Sequence, residues 1–163
     1  MLSLTFTSAT QTQKYNEKLF DCINNVIRLI EWKTQSSATN FEIGFMGDQQ
    51  LFTTTQSYFR GKTYLGKSIK VTHYLTTDQL KKTPPMAVYI GKHKDHNYDV
   101  LTKVCSEKHI FSISDDQTKR NDIPLILFHV HDDSVDMIVN KTEAEKQSFK
   151  LSYHLLRAAK EIR

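Results

Sequence analysis

Glycine and proline are scarce in this sequence, five and three of 163 residues. So few glycines disfavour a glycine-rich phosphate loop. Gly44-Phe-Met-Gly47 lacks the third glycine and the acidic partner of a dinucleotide fingerprint. There are two cysteines and no Cys-x-x-Cys, which excludes a thiol-redox motif and a zinc knuckle. No Gly-x-Ser-x-Gly nucleophile elbow or His-Glu-x-x-His metalloprotease helix occurs. No apolar run reaches the ~18 residues of a membrane-spanning helix. The net charge of +4 is small and scattered, which argues against a nucleic-acid partner.

What is present is the composition of one globular domain. Hydrophobic residues make up 39% and aromatic residues 10% of the chain, enough to bury a core without a disulfide or a metal. Cys22 and Cys105 both fall on apolar helical stripes and are expected as free, buried thiols. Residues 1–13 form a separate tract. Thr7-Ser8-Ala9 has the small residues of a signal-peptide cleavage site, without the basic start or the full apolar run. The tract reads as a flexible N-terminus, either the remnant of an export signal or a frayed cytosolic end. Residues 14–163 read as a single domain.

Along that domain the hydrophobic period changes repeatedly. Tyr15, Leu19, Cys22, Ile23, Val26, Ile27 and Ile30 recur at steps of three and four, a buried helix running into Glu31-Trp32. Phe41–Met46 alternates as a strand, and Gly47-Asp48 supplies a turn and a helix N-cap. Leu51 to Phe59 continues helically toward Gly61, and Ser68–Tyr74 is a second strand. Thr77-Asp78 caps a short turn that ends at Pro84-Pro85. Met86–Ile90 is continuously apolar, as in a central strand covered on both faces. A helix carries Tyr98, Leu101, Val104 and Cys105, and Ile110–Ile113 is a strand ending at Ser114-Asp115-Asp116. Leu125–His131 and Val135–Asn140 flank Asp132-Asp133-Ser134 as an edge hairpin. Thr142–Glu145 fits a capping box, and a terminal helix carries Leu151, Leu155, Leu156, Ala159 and Ile162. This order implies an α/β fold: a three-layer α/β/α sandwich with a mainly parallel central sheet, a C-terminal antiparallel hairpin and a terminal helix.

Candidate chemistry is sparse. His129 and His131 share a strand face and, with Asp133 and His93 or His96, have the donor types of a zinc site. Their spacing matches no compact metal motif, so they are read as the polar face of an edge hairpin. Asp115 and Asp116 follow a strand, where α/β folds place ligand groups, and are the candidate ligand or partner contacts. His154, Arg157, Lys160 and Arg163 form a basic strip on the terminal helix, read as a solvated face.

Several segments together resemble one family. The helix ending in Glu31-Trp32, the strand Phe41-Glu-Ile-Gly-Phe-Met-Gly-Asp48, Gly66-Lys-Ser-Ile-Lys-Val71 and Ile113-Ser-Asp115 follow one another in its order. Asn140, Ala144 and Lys150-Leu-Ser-Tyr-His-Leu-Leu-Arg-Ala-Ala159 complete the series. These segments are similar to those of the YfiR-like (HmsC-like) family of bacterial periplasmic regulators. Departures are Lys33 where the family has proline, Asn121-Asp122 in place of a Gly-Gly turn, and Ser148 where glycine is common.

The resemblance makes Trp32, Gly47, Asp48, Asn140, Leu155 and Leu156 a structural signature. It implies a non-enzymatic periplasmic domain that controls a membrane-bound signalling protein, of diguanylate cyclase or histidine kinase type, with neither catalytic nor metal residues and no cofactor. A homodimer is a further expectation. Trp32 is expected as a packing anchor and Asn140 as the lock of the strand-to-helix corner. The competing expectation is a small-molecule-binding or enzymatic domain using the strand ends near Asp48, Gly91 and Asp115.

Overall fold

The structure is a computed structural model that describes residues 6–32, 38–92, 97–116, 124–131 and 134–163, with the backbone alone for residues 6–10. Helix α1 (Phe6–Arg28) leads through β1 (Ile30–Glu31) to β2 (Asn40–Met46) and α2 (Gln49–Phe59). Next come β3 (Thr63–Tyr64), β4 (Lys67–His73), α3 (Thr77–Lys82), β5 (Ala87–Ile90), α4 (Tyr98–Lys108) and β6 (Phe111–Ser114). The chain ends with β7 (Ile126–Val130), β8 (Val135–Val139), α5 (Lys141–Lys146), β9 (Lys150–Leu151), α6 (Tyr153–Ala158) and β10 (Glu161–Ile162).

Eight strands form one sheet in the order β10-β8-β7-β6-β5-β2-β4-β3. The five central strands, β7-β6-β5-β2-β4, are all parallel. The chain crosses from β2 to β4 on one side and later to β5 on the other, so its direction of travel reverses between β2 and β5. β1 and β9 pair separately as a two-stranded antiparallel ribbon.

Alternation along β5 shows why helices lie on both faces. Ala87 and Tyr89 join Leu19, Phe20, Ile23 and Ile27 of α1 in one cluster. Val88 and Ile90 join Leu80 of α3 and Leu101, Val104 and Cys105 of α4 in another. All four β5 side chains are buried, as a continuous apolar run requires. Each fully buried Ile, Leu or Phe contributes about 1.5–3 kcal/mol. Gly44 is a packing necessity on the second face, since a Cβ there would meet the Pro85 ring at 2.8 Å and the Tyr74 and Val88 side chains at 3.1 Å.

Several sequence expectations are corrected. α1 starts at Phe6, so residues 6–13 are helical rather than a loose arm. The sequence Thr10-Gln-Thr-Gln13 has no apolar period to reveal it. The helix stops at Arg28, and Trp32 follows a short strand instead of ending the helix. The α3 capping box uses Thr76 and Gln79, one residue earlier than expected. The Thr142–Glu145 box does not cap α5. Asn140 does, accepting from the Glu143 amide at 3.1 Å, while the Thr142 amide donates to the Arg163 carbonyl. The single terminal helix is three elements, β9, α6 and β10, because Ser152 caps a new helix through the Leu155 amide and Lys160 turns the chain back beside β8. β10 thereby takes the sheet edge that the hairpin was expected to occupy. The basic strip divides accordingly: Arg157 stays on α6, while Lys160 pairs with Asp136 and Arg163 with Glu161.

The signature residues occupy structural positions. Asp48 caps α2, its Oδ1 accepting from the Leu51 amide at 2.8 Å. Trp32 is half-buried, donates from Nε1 to the Ile27 carbonyl at 2.7 Å, and meets Phe41, Phe111 and Phe149 edge-on. Leu155 is fully buried and Leu156 packs half-buried against the same cluster. Cys22 is half-buried and Cys105 buried, and both thiols are free. Burial pushes the Cys105 thiol up to about 12.

Candidate functional site

Open parallel sheets present ligands with a crevice at the carboxyl ends of the strands where the winding direction reverses. Here that place lies between β2 and β5. The Gly91 amide donates to the Met46 carbonyl at 2.8 Å, and a Cβ on Gly47 would stand 3.9 Å from the Gly91 Cα. His73, at the end of β4, reaches the Gly47 carbonyl through Nε2 at 3.0 Å and stacks on Phe52 with ring centroids 4.5 Å apart.

Beside this junction β6 ends in Ser114-Asp115-Asp116. Asp115 accepts from two tyrosines of different elements, Tyr15 of α1 at Oδ2 and Tyr89 of β5 at Oδ1, the latter at 2.6 Å. Asp116 is 5% exposed, and its backbone amide donates to Ser114 Oγ at 3.1 Å. The Ser114 hydroxyl donates to the Ile90 carbonyl at 2.6 Å, tying β6 to β5. The Tyr98 hydroxyl, from the first turn of α4, donates to the Gly91 carbonyl at 3.2 Å and lies beside Asp116 and Ser114. The site is thus a network of three phenols and two carboxylates drawn from α1, β5, α4 and the end of β6.

Its electrostatics follow from burial. Desolvation, then the charge of Asp115 and the hydrogen bond to it, hold the Tyr15 and Tyr89 phenols above their ordinary range. Desolvation, then the bond to Asp116, does the same for Tyr98. The phenols therefore remain donors at neutral pH, and the protein's own hydroxyls occupy Asp115. Such a network can fix the position of α1 and α4 against the strand ends. Asp115 stays partly exposed beside the two hydroxyls, whereas Asp116 is buried.

Of the expected site residues, the fold brings Asp115 and Asp116 together with this network, and Gly91 beside Gly47. Asp48 is committed to its cap. His131 bonds Asp136 through Nε2 at 3.0 Å, with the His129 ring 6.5 Å away. Asp133, His93 and His96, which would complete the metal reading, lie outside the described residues. Among the described residues no three His, Cys, Asp or Glu side chains gather as a metal site. Tyr15, Tyr89 and Tyr98 were missed as site residues. Tyr15 and Tyr98 sit in helical stripes and Tyr89 in an apolar run, and nothing in those patterns marks their hydroxyls.

Two solved structures are similar in fold. One is a conserved domain protein from Vibrio cholerae O1 biovar El Tor strain N16961, with TM-score 0.59 and 9% identity. The other is an ABC domain from Streptococcus pneumonia solved in complex with L-Trp, with TM-score 0.58 and 8% identity. Each match covers 91% of this chain and 60% of the other, so the chain spans less than two thirds of either solved protein. No curated protein sequence matches it.

The sheet order and the network at its strand ends define an α/β domain of the doubly wound kind, with helices docked at the carboxyl ends through hydrogen bonds. The chain belongs to the YfiR/HmsC-like family, whose model matches residues 20–160. That family comprises bacterial periplasmic regulators of diguanylate cyclase signalling, regulatory and non-catalytic, that act on a membrane signalling protein. Among the described residues no helix is long and apolar enough to cross a membrane.

Proposed function

We propose that this chain is a non-enzymatic periplasmic regulatory domain, residues 14–163, that binds and controls a membrane-bound signalling partner of diguanylate cyclase or histidine kinase type. The observation that carries the reading is the family match over residues 20–160. The tyrosine–aspartate network supports it, because hydroxyls that already engage Asp115 suit positioning better than proton transfer. Control requires different affinities for the partner's two states. Asp115 is the contact residue we assign to that surface. Asp116, being buried, acts by holding Tyr98 and the end of β6. The test is co-expression with a candidate membrane cyclase while intracellular cyclic di-GMP is measured. The expected result is a lower nucleotide level and co-purification with the cyclase's extracytoplasmic domain. Unchanged levels with every candidate cyclase and sensor kinase, and no complex, would overturn the proposal.

A second reading keeps the same crevice for a small molecule. It is favoured by the position of the network at the reversal point and by the likeness to a protein solved with L-Trp bound. Saturable binding of a small molecule that perturbs Tyr15 and Tyr89 resonances would favour this second reading.

A further inference from the structure

At the opposite, amino ends of β5 and β6 lies a cavity of about 240 Å³ lined by Trp32, Pro85, Met86, Lys108, His109 and Ser148, among others. Two of these residues have unusual backbones. His109 stands just past α4 with φ 57°, and Ser148 just past α5 with φ 61°. Both are the left-handed residues that close helix ends. The amides of His109 and Ile110 return to α4 carbonyls, and those of Ser148 and Phe149 return to α5 carbonyls. Glycine fits such positions with least strain, yet neither position holds one. The two non-glycine helix closures face the same cavity. Strain retained at two separate loops around one cavity points to what their side chains do there.

The chemistry of the lining is specific. The Lys108 ammonium and the Ser148 hydroxyl have no ion-pair or hydrogen-bond partner among the described residues. The His109 ring is held parallel to Phe149 with centroids 4.3 Å apart. Ammonium, imidazole and hydroxyl together suit an anion, while Trp32, Pro85, Met86 and buried Phe149 suit an apolar body. Glu31 also lines the cavity and opposes a second negative charge. We propose that this cavity binds a small amphipathic monocarboxylate, its carboxylate held by Lys108, His109 and Ser148 and its apolar part against Trp32. This site is separate from the Asp115 network and does not depend on the partner assigned above.

The chain's single tryptophan lines the cavity and reports directly. Phenylacetate titrated into the purified protein is expected to change Trp32 fluorescence saturably. Acetate, benzyl alcohol and inorganic phosphate, which lack the apolar part, the charge or the single charge, are expected to leave it unchanged. Lys108→Gln is expected to weaken phenylacetate binding about tenfold, the scale of one charged hydrogen bond. Ser148→Gly and His109→Gly give the sharper test. Relieving the left-handed strain should raise Tm by about 2–4 °C in Ser148→Gly, while in His109→Gly the lost stack on Phe149 offsets that gain; binding should weaken in both. A stabilised protein with weakened binding is the signature of side chains kept for a ligand. No saturable response in the unmodified protein, undiminished binding in all three variants, or a lower Tm in both glycine variants would each overturn the proposal.

Discussion

At the amino ends of the central strands Trp32 meets three phenylalanines edge-on, while at the carboxyl ends three tyrosine hydroxyls converge on two adjacent aspartates. The first end is held by contact area, the second by matched donors and acceptors. Area is forgiving in direction, since neighbouring rings shift to refill part of a gap. A hydrogen-bond network fails differently, because removing one member leaves another buried and unsatisfied. The two ends should therefore respond differently to truncation and to pH.

The largest effect is expected at the aromatic end. Trp32→Ala removes three ring contacts and the Nε1 bond to Ile27, and should cost about 3 kcal/mol, the lower part of the range for large aromatic truncations because the ring is half-buried. Urea unfolding followed by circular dichroism measures it. An unchanged midpoint would show that Trp32 is not the hub of that end. Trp32→Phe should recover part of the loss, as expected where area matters most.

At the polar end the change can be a single atom. Tyr89→Phe keeps the ring and removes the donor to Asp115 Oδ1, and should cost about 1.5–3 kcal/mol. Adding Asp115→Asn should cost less than the sum of the two changes, since the carboxylate oxygen that loses its Tyr89 donor is then gone. Additive losses would mean that hydroxyl and carboxylate act independently, which erases the contrast between the ends.

The same network sets a response to pH that the aromatic end lacks. The folded-state values of Tyr15, Tyr89 and Tyr98 are raised, whereas an unfolded tyrosine titrates near 10. Below about pH 10 both states hold these protons and the contribution is constant. Above it the unfolded chain releases them while the folded chain keeps them, so stability falls as pH rises. Phenolate absorbance should show these tyrosines ionising only as the protein unfolds. The alkaline slope should shrink in a Tyr15→Phe, Tyr89→Phe double variant and persist in Trp32→Phe.

The two ends also differ in how far the sequence announced them. β2, β4 and β5 were legible because burial on one or both faces dictates their residue period. The caps Asp48 and Asn140 were legible because short polar side chains at element boundaries have few other uses. Two-residue strands such as β1, β9 and β10 carry no period, and the spacing of Leu151, Leu155, Leu156, Ala159 and Ile162 suits a continuous helix equally well. The tyrosine–aspartate network was out of reach for another reason. Tyr15, Tyr89, Tyr98 and Asp115 come from four elements, each with a sufficient local explanation, and their convergence is a product of the sheet order.

The smallest effect concerns Asn140, at the corner where β8 meets α5. The Asn140 amide donates to the Leu125 carbonyl at 3.0 Å, and its Oδ1 caps α5 through the Glu143 amide. Its side chain thus fixes the start of a six-residue helix whose Ala144 is wholly buried. Asn140→Ala removes the cap and should cost about 1 kcal/mol. Asn140→Asp or Asn140→Ser should restore most of it, because each returns an oxygen acceptor at the cap. The cap places the loosening in Lys141–Lys146, where hydrogen exchange should quicken first. α6, capped separately by Ser152, should change little. Exchange that quickens across Leu151–Ala159 but not α5 would show that the corner acts on the terminal segment instead. Unchanged stability with loss of the membrane partner would move Asn140 from the scaffold to the interface, and would extend the binding surface to the amino-end side of β7.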